Sequence, residues 1–169
     1  MAIYDNQSLY NALCELEVIP KNQLDQAFEE SKIQNIPLEN ILLQKDSISD
    51  ENLGKTIADL VSLPLIRLGE TSIPDEVLRL IPEETARKQK IIAFKKTDKN
   101  LYIATADPSN IQIKDFIEKR IGLPVIVYFA TNQDINNTLF LYKKDLSTVF
   151  NELIKEHVLE ANKEQVKME

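Results

Sequence analysis

Residues 91–108 read IIAFKKTDKNLYIATADP, and this stretch decides the fold class of the chain. Two apolar runs, 91–94 and 101–104, flank the turn-forming residues 97–100. Short runs rich in β-branched and aromatic residues on both sides of such a turn are typical of a β-hairpin. The chain is therefore predicted to contain a sheet as well as helices.

Downstream of the hairpin, the sequence predicts a helix, a third strand and a last helix. Gly122 is placed to end the first of these helices, because glycine readily adopts the left-handed conformation that follows many helix C-termini. Residues 124–129 are rich in Val and Ile and predict the strand, and Thr131 suits the N-cap of the helix after it. With two proline-initiated helices upstream, residues 63–144 predict a small α/β subdomain.

Residues 1–62 predict a helical subdomain of four short helices. Pro20, Pro37 and Ser49 stand where the second, third and fourth helices would begin, and Leu60 is expected to face the core. A shift of 29 residues superposes the leucine pattern of the first half of this subdomain on that of the second. We interpret this as two copies of a helix–turn–helix unit. The aligned pairs are Leu9 with Leu38, Leu13 with Leu42, and Leu24 with Leu53.

Residues 145–169 predict a charged helical tail or linker, which becomes polar after Leu159. The helices predicted at 21–32 and 146–160 are acidic and carry apolar stripes, so each is a candidate docking face, with an ordinary core-facing stripe as the alternative. The three segments together predict an α+β fold class. The stripe of the tail consists of Leu146, Val149, Phe150, Leu153 and Ile154.

The composition excludes several classes of partner and compartment. Twenty basic residues against 27 acidic ones give a net charge of −7, which argues against binding a nucleic acid backbone. The single cysteine, Cys14, cannot form an internal disulfide, so we expect a reducing cytoplasm. No stretch approaches the roughly 18 apolar residues that a membrane-spanning helix needs, so direct membrane insertion is not expected.

The sequence offers no convergent set of catalytic or metal-binding residues. The single histidine, His157, lies in the charged tail, where a solvated surface residue is the simpler interpretation. Residues 54–56 read GKT and copy the end of a phosphate-binding loop, but they lack the preceding glycine and strand. We therefore expect no enzyme activity and no metal in this chain.

Three stretches carry a resemblance to a known family. They are LGKTIADL at 53–60, IPEETAR at 81–87 and LYIATADP at 101–108. The sequence from about residue 8 to about residue 142 resembles the N-terminal domain of type II secretion and type IV pilus assembly ATPases.

This resemblance implies a non-catalytic docking and regulatory domain. It would bind the cytoplasmic parts of the inner-membrane platform and its own or a cognate hexameric ATPase, and would lie peripheral to that membrane through these partners. ATP and Mg²⁺ would bind only a C-terminal ATPase half, which this chain lacks. Arg87 lies within the second stretch, where a structural ion pair and a partner contact are the two alternatives.

One branch of the family carries two tandem motifs of this length that bind cyclic di-GMP, which gives the alternative of a cyclic di-GMP sensor. Its motif opens with arginine-leucine-glycine, but residues 8–10 read SLY and residues 37–39 read PLE. Glu17 and Asp46 replace the turn glycines, and Ser31 and Asp59 replace the closing glutamines. Docking without a cofactor is therefore the preferred interpretation. A sensor would retain the leucine positions Leu9, Leu13, Leu24, Leu38, Leu42 and Leu53.

Overall fold

The computed structural model describes the backbone of residues 4–110 and 112–168, with their side chains apart from those of 144–149, 152 and 163–168. Leu146 and Val149 of the predicted tail stripe therefore lie outside the described side chains. The described part has an α+β fold with nine α-helices, one 3₁₀ helix and a three-stranded sheet.

The N-terminal half consists of four helices, as the sequence predicts. Ser49 caps the fourth, because its hydroxyl accepts a hydrogen bond from the Asn52 N–H at 3.2 Å. Pro20 and Pro37 stand directly before the second and third. Leu60 is only half-buried rather than facing the core, because it lies in the last turn, where the chain leaves the bundle. The helices are α1 Asn6–Leu16, α2 Lys21–Gln34, α3 Leu38–Gln44 and α4 Asp50–Leu60.

The second half is built on a three-stranded sheet. β1 (Ile91–Lys96) pairs antiparallel with β2 (Leu101–Thr105), and β2 pairs in parallel with β3 (Val125–Phe129), so β2 is central. Helices precede the hairpin, cross from β2 to β3 and follow β3, which is the predicted order. These helices are α5 Asp75–Leu78, α6 Glu83–Gln89, α7 Gln112–Ile121 and α8 Asn132–Leu139.

The residue that follows α7 and the residue that caps α8 are those that the sequence predicts. Gly122 follows α7 with a φ of 77°, a left-handed conformation that suits glycine. Thr131 caps α8, because its hydroxyl accepts a hydrogen bond from the Asp134 N–H at 3.2 Å. The sequence predicts a helix from Pro74 through Leu80, and the helix that follows Pro74 ends earlier, at Leu78.

The link between the halves adds to the sheet. Leu65 forms an isolated parallel bridge with Phe129, at the end of β3. The Phe129 N–H donates to the Pro64 carbonyl at 2.8 Å, and the Phe129 carbonyl accepts from the Ile66 N–H at 2.9 Å. The 3₁₀ helix Leu68–Glu70 follows. The link is therefore a short strand-like segment beside β3.

The buried side chains form two apolar clusters, one in each half, and Phe129 belongs to the cluster of the helical half. The halves also meet through polar contacts, since the Thr131 hydroxyl donates to Asp50 at 2.6 Å. The division of the chain at 62 and 144 stays a prediction.

A long helix, α9 (Leu141–Met168), ends the described chain. Tyr142 at its start is buried, and its hydroxyl lies 2.9 Å and 2.8 Å from the carbonyl oxygens of Leu78 and Ile81. This contact attaches the first turn of α9 to the α/β half. Farther along, α9 exposes the apolar side chains of Phe150, Leu153, Ile154, Val158 and Leu159.

Candidate docking surface

The two helix–turn–helix copies each carry a left-handed residue at the aligned turn position. Glu17 follows α1 with a φ of 51°, and Asp46 follows α3 with a φ of 50°. Both residues are exposed. The left-handed turn that a glycine would favour is thus present, although an acidic residue occupies each position. The consequence is a carboxylate on each turn of the repeat.

At the start of the first copy, Tyr10 contacts one aromatic and one acidic side chain. The Tyr10 ring stacks on the Phe28 ring with centroids 4.5 Å apart, and its hydroxyl donates to Asp25 at 2.6 Å. The hydrogen bond to Asp25 raises the pKa of Tyr10 above its ordinary range. Tyr10 therefore fills this position with a neutral, internally bonded phenol.

At the start of the second copy, Leu38 and Glu39 form hydrogen bonds with other parts of the chain. Glu39 accepts hydrogen bonds from the Tyr4 hydroxyl and from the side-chain amide of Asn132 at 3.1 Å. Burial raises the pKa of Tyr4, and the charge of Glu39 adds to this effect. The Leu38 N–H donates to the side chain of Asn6 at 2.9 Å. Glu39 thus joins the helical half to the start of α8.

The leucines that the sequence singles out belong to the core. Each has an exposed fraction of 2% or less, so the packing of the four helices accounts for all of them. The closing position Ser31 is 1% exposed and its hydroxyl donates to the Phe28 carbonyl at 2.7 Å, whereas Asp59 is exposed. The buried set is Leu9, Leu13, Leu24, Leu38, Leu42 and Leu53.

Helix α2 inverts the usual relation between polarity and burial. The polar Ser31 is buried, while Ile33, two residues later, is 84% exposed. Ile33 thus presents an apolar side chain to solvent among polar and charged neighbours. We call the surface around it the α2 face; it consists of Asp25, Gln26, Glu29, Glu30, Ile33 and Gln34.

The α2 face is acidic, but part of its charge is balanced nearby. Lys32 pairs with Glu29 at 2.9 Å, and Lys45 of α3 pairs with Glu30. The hydrogen bond from Lys45 lowers the pKa of Glu30, so this carboxylate stays ionised at neutral pH. Exposed pairs of this kind contribute little to stability. They leave Ile33 exposed beside the acidic side chains of this face.

The other residues considered from sequence lie on different helices. Arg87 forms an ion pair with Glu83 at 2.9 Å, one turn earlier in α6, which is the structural alternative for this residue. Its contact with a partner stays a prediction. His157 lies exposed on α9, far in sequence from the half-buried Cys14. Residues 54–56 lie within α4.

The described residues contain neither a metal-binding cluster nor a membrane-spanning helix. No group of three or more His, Cys, Asp or Glu side chains there is arranged to hold a metal ion. None of the helices in the described part combines the length and the apolar character needed to cross a bilayer.

A family model and two curated relatives match this chain. The family model of the MshEN domain matches residues 61–146. Two type IV pilus assembly ATPases named PilB, from Myxococcus xanthus and Thermus thermophilus, are 23% and 26% identical over 125 and 133 residues. These alignments cover 74% and 78% of this chain but only 22% and 14% of the relatives. The chain thus spans less than a quarter of the length of the curated relatives it matches.

Two solved structures share the fold. The structure of MshE with cdg matches with a TM-score of 0.65 and 22% identity, covering 79% of this chain and 97% of that one. The N-terminal domain of XpsE matches with a TM-score of 0.58 and 19% identity, covering 82% and 96%. The chain therefore belongs to the MshEN domain family, is homologous to PilB pilus assembly ATPases, and has the fold of an N-terminal domain rather than of the ATPase catalytic part.

Proposed function

We propose that this domain docks a type IV pilus assembly or type II secretion ATPase onto the cytoplasmic parts of the inner-membrane platform. It also contacts its own or a cognate hexameric ATPase domain and performs no chemistry. In this proposal the domain lies in the cytoplasm, held at the inner membrane only through its protein partners. Family membership and the pilus ATPase relatives support the setting.

The observation that carries the docking role is the inverted burial on α2. An 84% exposed Ile33 adds nothing to the packing of the four helices, so its apolar surface is available to another protein. The neighbouring Glu29 and Glu30 favour a partner surface with basic side chains around an apolar centre. Because their own lysine pairs are solvent-exposed, a partner can replace these pairs at little cost.

A pull-down with a matched pair of variants tests this role. The chain is immobilised and incubated with detergent-solubilised inner membranes from cells that carry the complete pilus or secretion system, and platform proteins are quantified by mass spectrometry. Ile33→Ser should fold normally and lose the platform protein. Phe140→Ser, which changes an equally apolar side chain that is 66% exposed on the α/β half, should retain it. Equal retention by both variants would contradict docking through the α2 face.

The second candidate function is cyclic di-GMP sensing by the helical half. It is favoured by the fold shared with MshE, whose structure includes cdg, and by the left-handed turns at Glu17 and Asp46. The side chains argue against it. A phosphate is bound by arginine or by backbone N–H groups approached through glycine. Here Tyr10 and Glu39 stand at the positions where the two motifs have their first glycine. We therefore rank sensing second.

A further inference from the structure

The segment from α6 to the turn of the β-hairpin concentrates positive charge in a chain that is acidic overall. Residues 86–100 contain six basic residues and one acidic residue, whereas the whole chain has a net charge of −7. Five exposed lysines of this segment form no ion pair with any residue that the structure describes. Their charge is therefore available to a partner. These lysines are Lys88, Lys90, Lys95, Lys96 and Lys99.

A groove of about 850 Å³ lies at the end of β1 that carries two of these lysines. Its walls come from residues 94–98, from α5 and from the chain that leads from Ile66 to Pro74. Both Lys95 and Lys96 line it. We call it the hairpin groove.

Three aromatic side chains line the hairpin groove, one from each strand of the sheet. The ring centroids of Phe94, Tyr102 and Tyr128 lie 5.3 to 6.3 Å apart. Phe94 is buried, while the two tyrosines are half-buried and present part of their rings to the groove. Neither of their hydroxyls forms a hydrogen bond with a described residue. The groove thus combines an aromatic surface with two unused hydroxyl donors.

The charges of the hairpin groove are distributed unevenly. Lys95 Nζ lies 5.2 Å from the centroid of the Tyr102 ring, so an ammonium group stands beside the aromatic surface. Two acidic residues also line the groove, Glu76 on α5 and Asp98 in the turn. Asp98 is the single acidic residue of the segment 86–100. Positive charge therefore prevails on the β1 side of the groove, and negative charge on the α5 side.

We infer that the hairpin groove is a docking site for an acidic linear segment of a partner protein that carries one aromatic side chain. The aromatic side chain packs against Tyr102 and Tyr128. Carboxylates next to it accept hydrogen bonds from the tyrosine hydroxyls and pair with Lys95 and Lys96 on the β1 side. This site selects an acidic partner, whereas the α2 face selects a basic one, so it goes beyond the docking role proposed above.

The spacing of the lysines favours an extended segment over a compact anion such as a nucleotide. Lys90 directly precedes β1 and Lys96 ends it, which corresponds to a distance of about 20 Å along an extended chain. One phosphate cannot reach both lysines, but carboxylates spaced along a linear segment can. Moreover, none of the described residues that line the groove is an arginine or a glycine, the residues that commonly serve phosphate binding.

The test is an NMR titration of the ¹⁵N-labelled full chain with the blocked pentapeptide acetyl-Asp-Glu-Phe-Asp-Glu-amide at low salt. We expect saturable chemical-shift changes at residues 94–98, 102 and 128. Serine in place of the phenylalanine should weaken binding by about tenfold, and lysines in place of the four acids should abolish it. Absence of shifts with the first peptide, or equal shifts with the lysine peptide, would overturn the inference. Tighter binding of adenosine monophosphate to the same residues would also overturn it.

A matched pair of chain variants gives an independent arm. Lys95→Glu combined with Lys96→Glu reverses the charge of the groove and should abolish the peptide-induced shifts. Lys119→Glu combined with Arg120→Glu makes the same charge change at two exposed residues of α7 and should retain them. Equal binding by both variants would overturn the inference. So would self-association in sedimentation experiments that the first variant removes, because it would assign the groove to the acidic helical half of a second copy.

Discussion

Glu17 and Asp46 lie 29 positions apart in the chain and share one left-handed backbone conformation, with φ values of 51° and 50°. This relationship supports the interpretation of the helical half as two copies of one unit. It also separates the geometry of the repeat from its side-chain chemistry. The turn has kept a conformation that glycine prefers, while the residues that occupy it are acidic.

Replacing Glu17 with glycine should stabilise the domain. A left-handed conformation costs an L-residue such as glutamate about 1–2 kcal/mol, and glycine adopts it freely but loses more chain entropy on folding. We expect a net gain of up to about 1 kcal/mol in the free energy of unfolding. Urea denaturation followed by circular dichroism measures it.

The control for this prediction is the same substitution two residues earlier. Glu15 lies within α1 and is exposed, so Glu15→Gly should lower the free energy of unfolding by about 1 kcal/mol. If both substitutions destabilise equally, the turn at Glu17 is not left-handed in solution.

Gly54→Ala should destabilise the contact between the two halves, although alanine is the better helix former. A Cβ at residue 54 would lie 2.8 Å from Thr131 Cγ2, and the Thr131 hydroxyl is held by its bonds with Asp50 and Asp134. We expect a loss of about 1–2 kcal/mol, since overpacking outweighs the gain in helix propensity.

A double-mutant cycle checks the cause of this loss. Thr131→Ser removes Cγ2 and keeps the hydroxyl cap, so combining it with Gly54→Ala should recover most of the stability. A stabilising Gly54→Ala, as in an unpacked helix, would show that α4 and the start of α8 do not meet as described.

The anchor of α9 should be sensitive to alkaline pH. Burial raises the pKa of Tyr142 from 10.0 to about 12, so the folded state favours the neutral phenol. The stability that the neutral Tyr142 phenol contributes to the folded state is complete below pH 10. It is lost as the pH rises through about 12. Tyr142→Phe removes the hydroxyl bonded to Leu78 and Ile81.

We expect Tyr142→Phe to lower the free energy of unfolding by about 1 kcal/mol at neutral pH. The difference from the parent chain should shrink between pH 10 and 12, which urea titrations at several pH values measure; other buried tyrosines affect both proteins alike. A difference that stays constant over this range would contradict the burial of the neutral Tyr142 phenol.

The elements that sequence predicts correctly depend on local chemistry. Ser49 and Thr131 cap helices through their own hydroxyls, and Gly122 takes the left-handed position after α7. Each of these features requires only a few neighbouring residues. The order of strands and helices follows from them, which is why the α+β class is predictable.

The features that sequence does not predict depend on distant residues. Leu65 pairs with Phe129, 64 positions away, and nothing near Leu65 indicates this partner. An apolar groove of about 420 Å³ beside Val127 likewise requires the sheet, α7 and the link to be assembled. On α2, periodicity predicts the buried face, but the 84% exposure of Ile33 follows only from the assembled helices.

The central claim is that the helical half is a docking scaffold and not a nucleotide site. Calorimetric titration of the folded chain with cyclic di-GMP at moderate salt tests it most directly, with the MshE domain as positive control. We predict no saturable heat of binding for this chain, because Tyr10 and Glu39 stand where the two nucleotide-binding motifs have their first glycine. Saturable binding in the micromolar range would contradict the claim and would assign the repeat to nucleotide sensing.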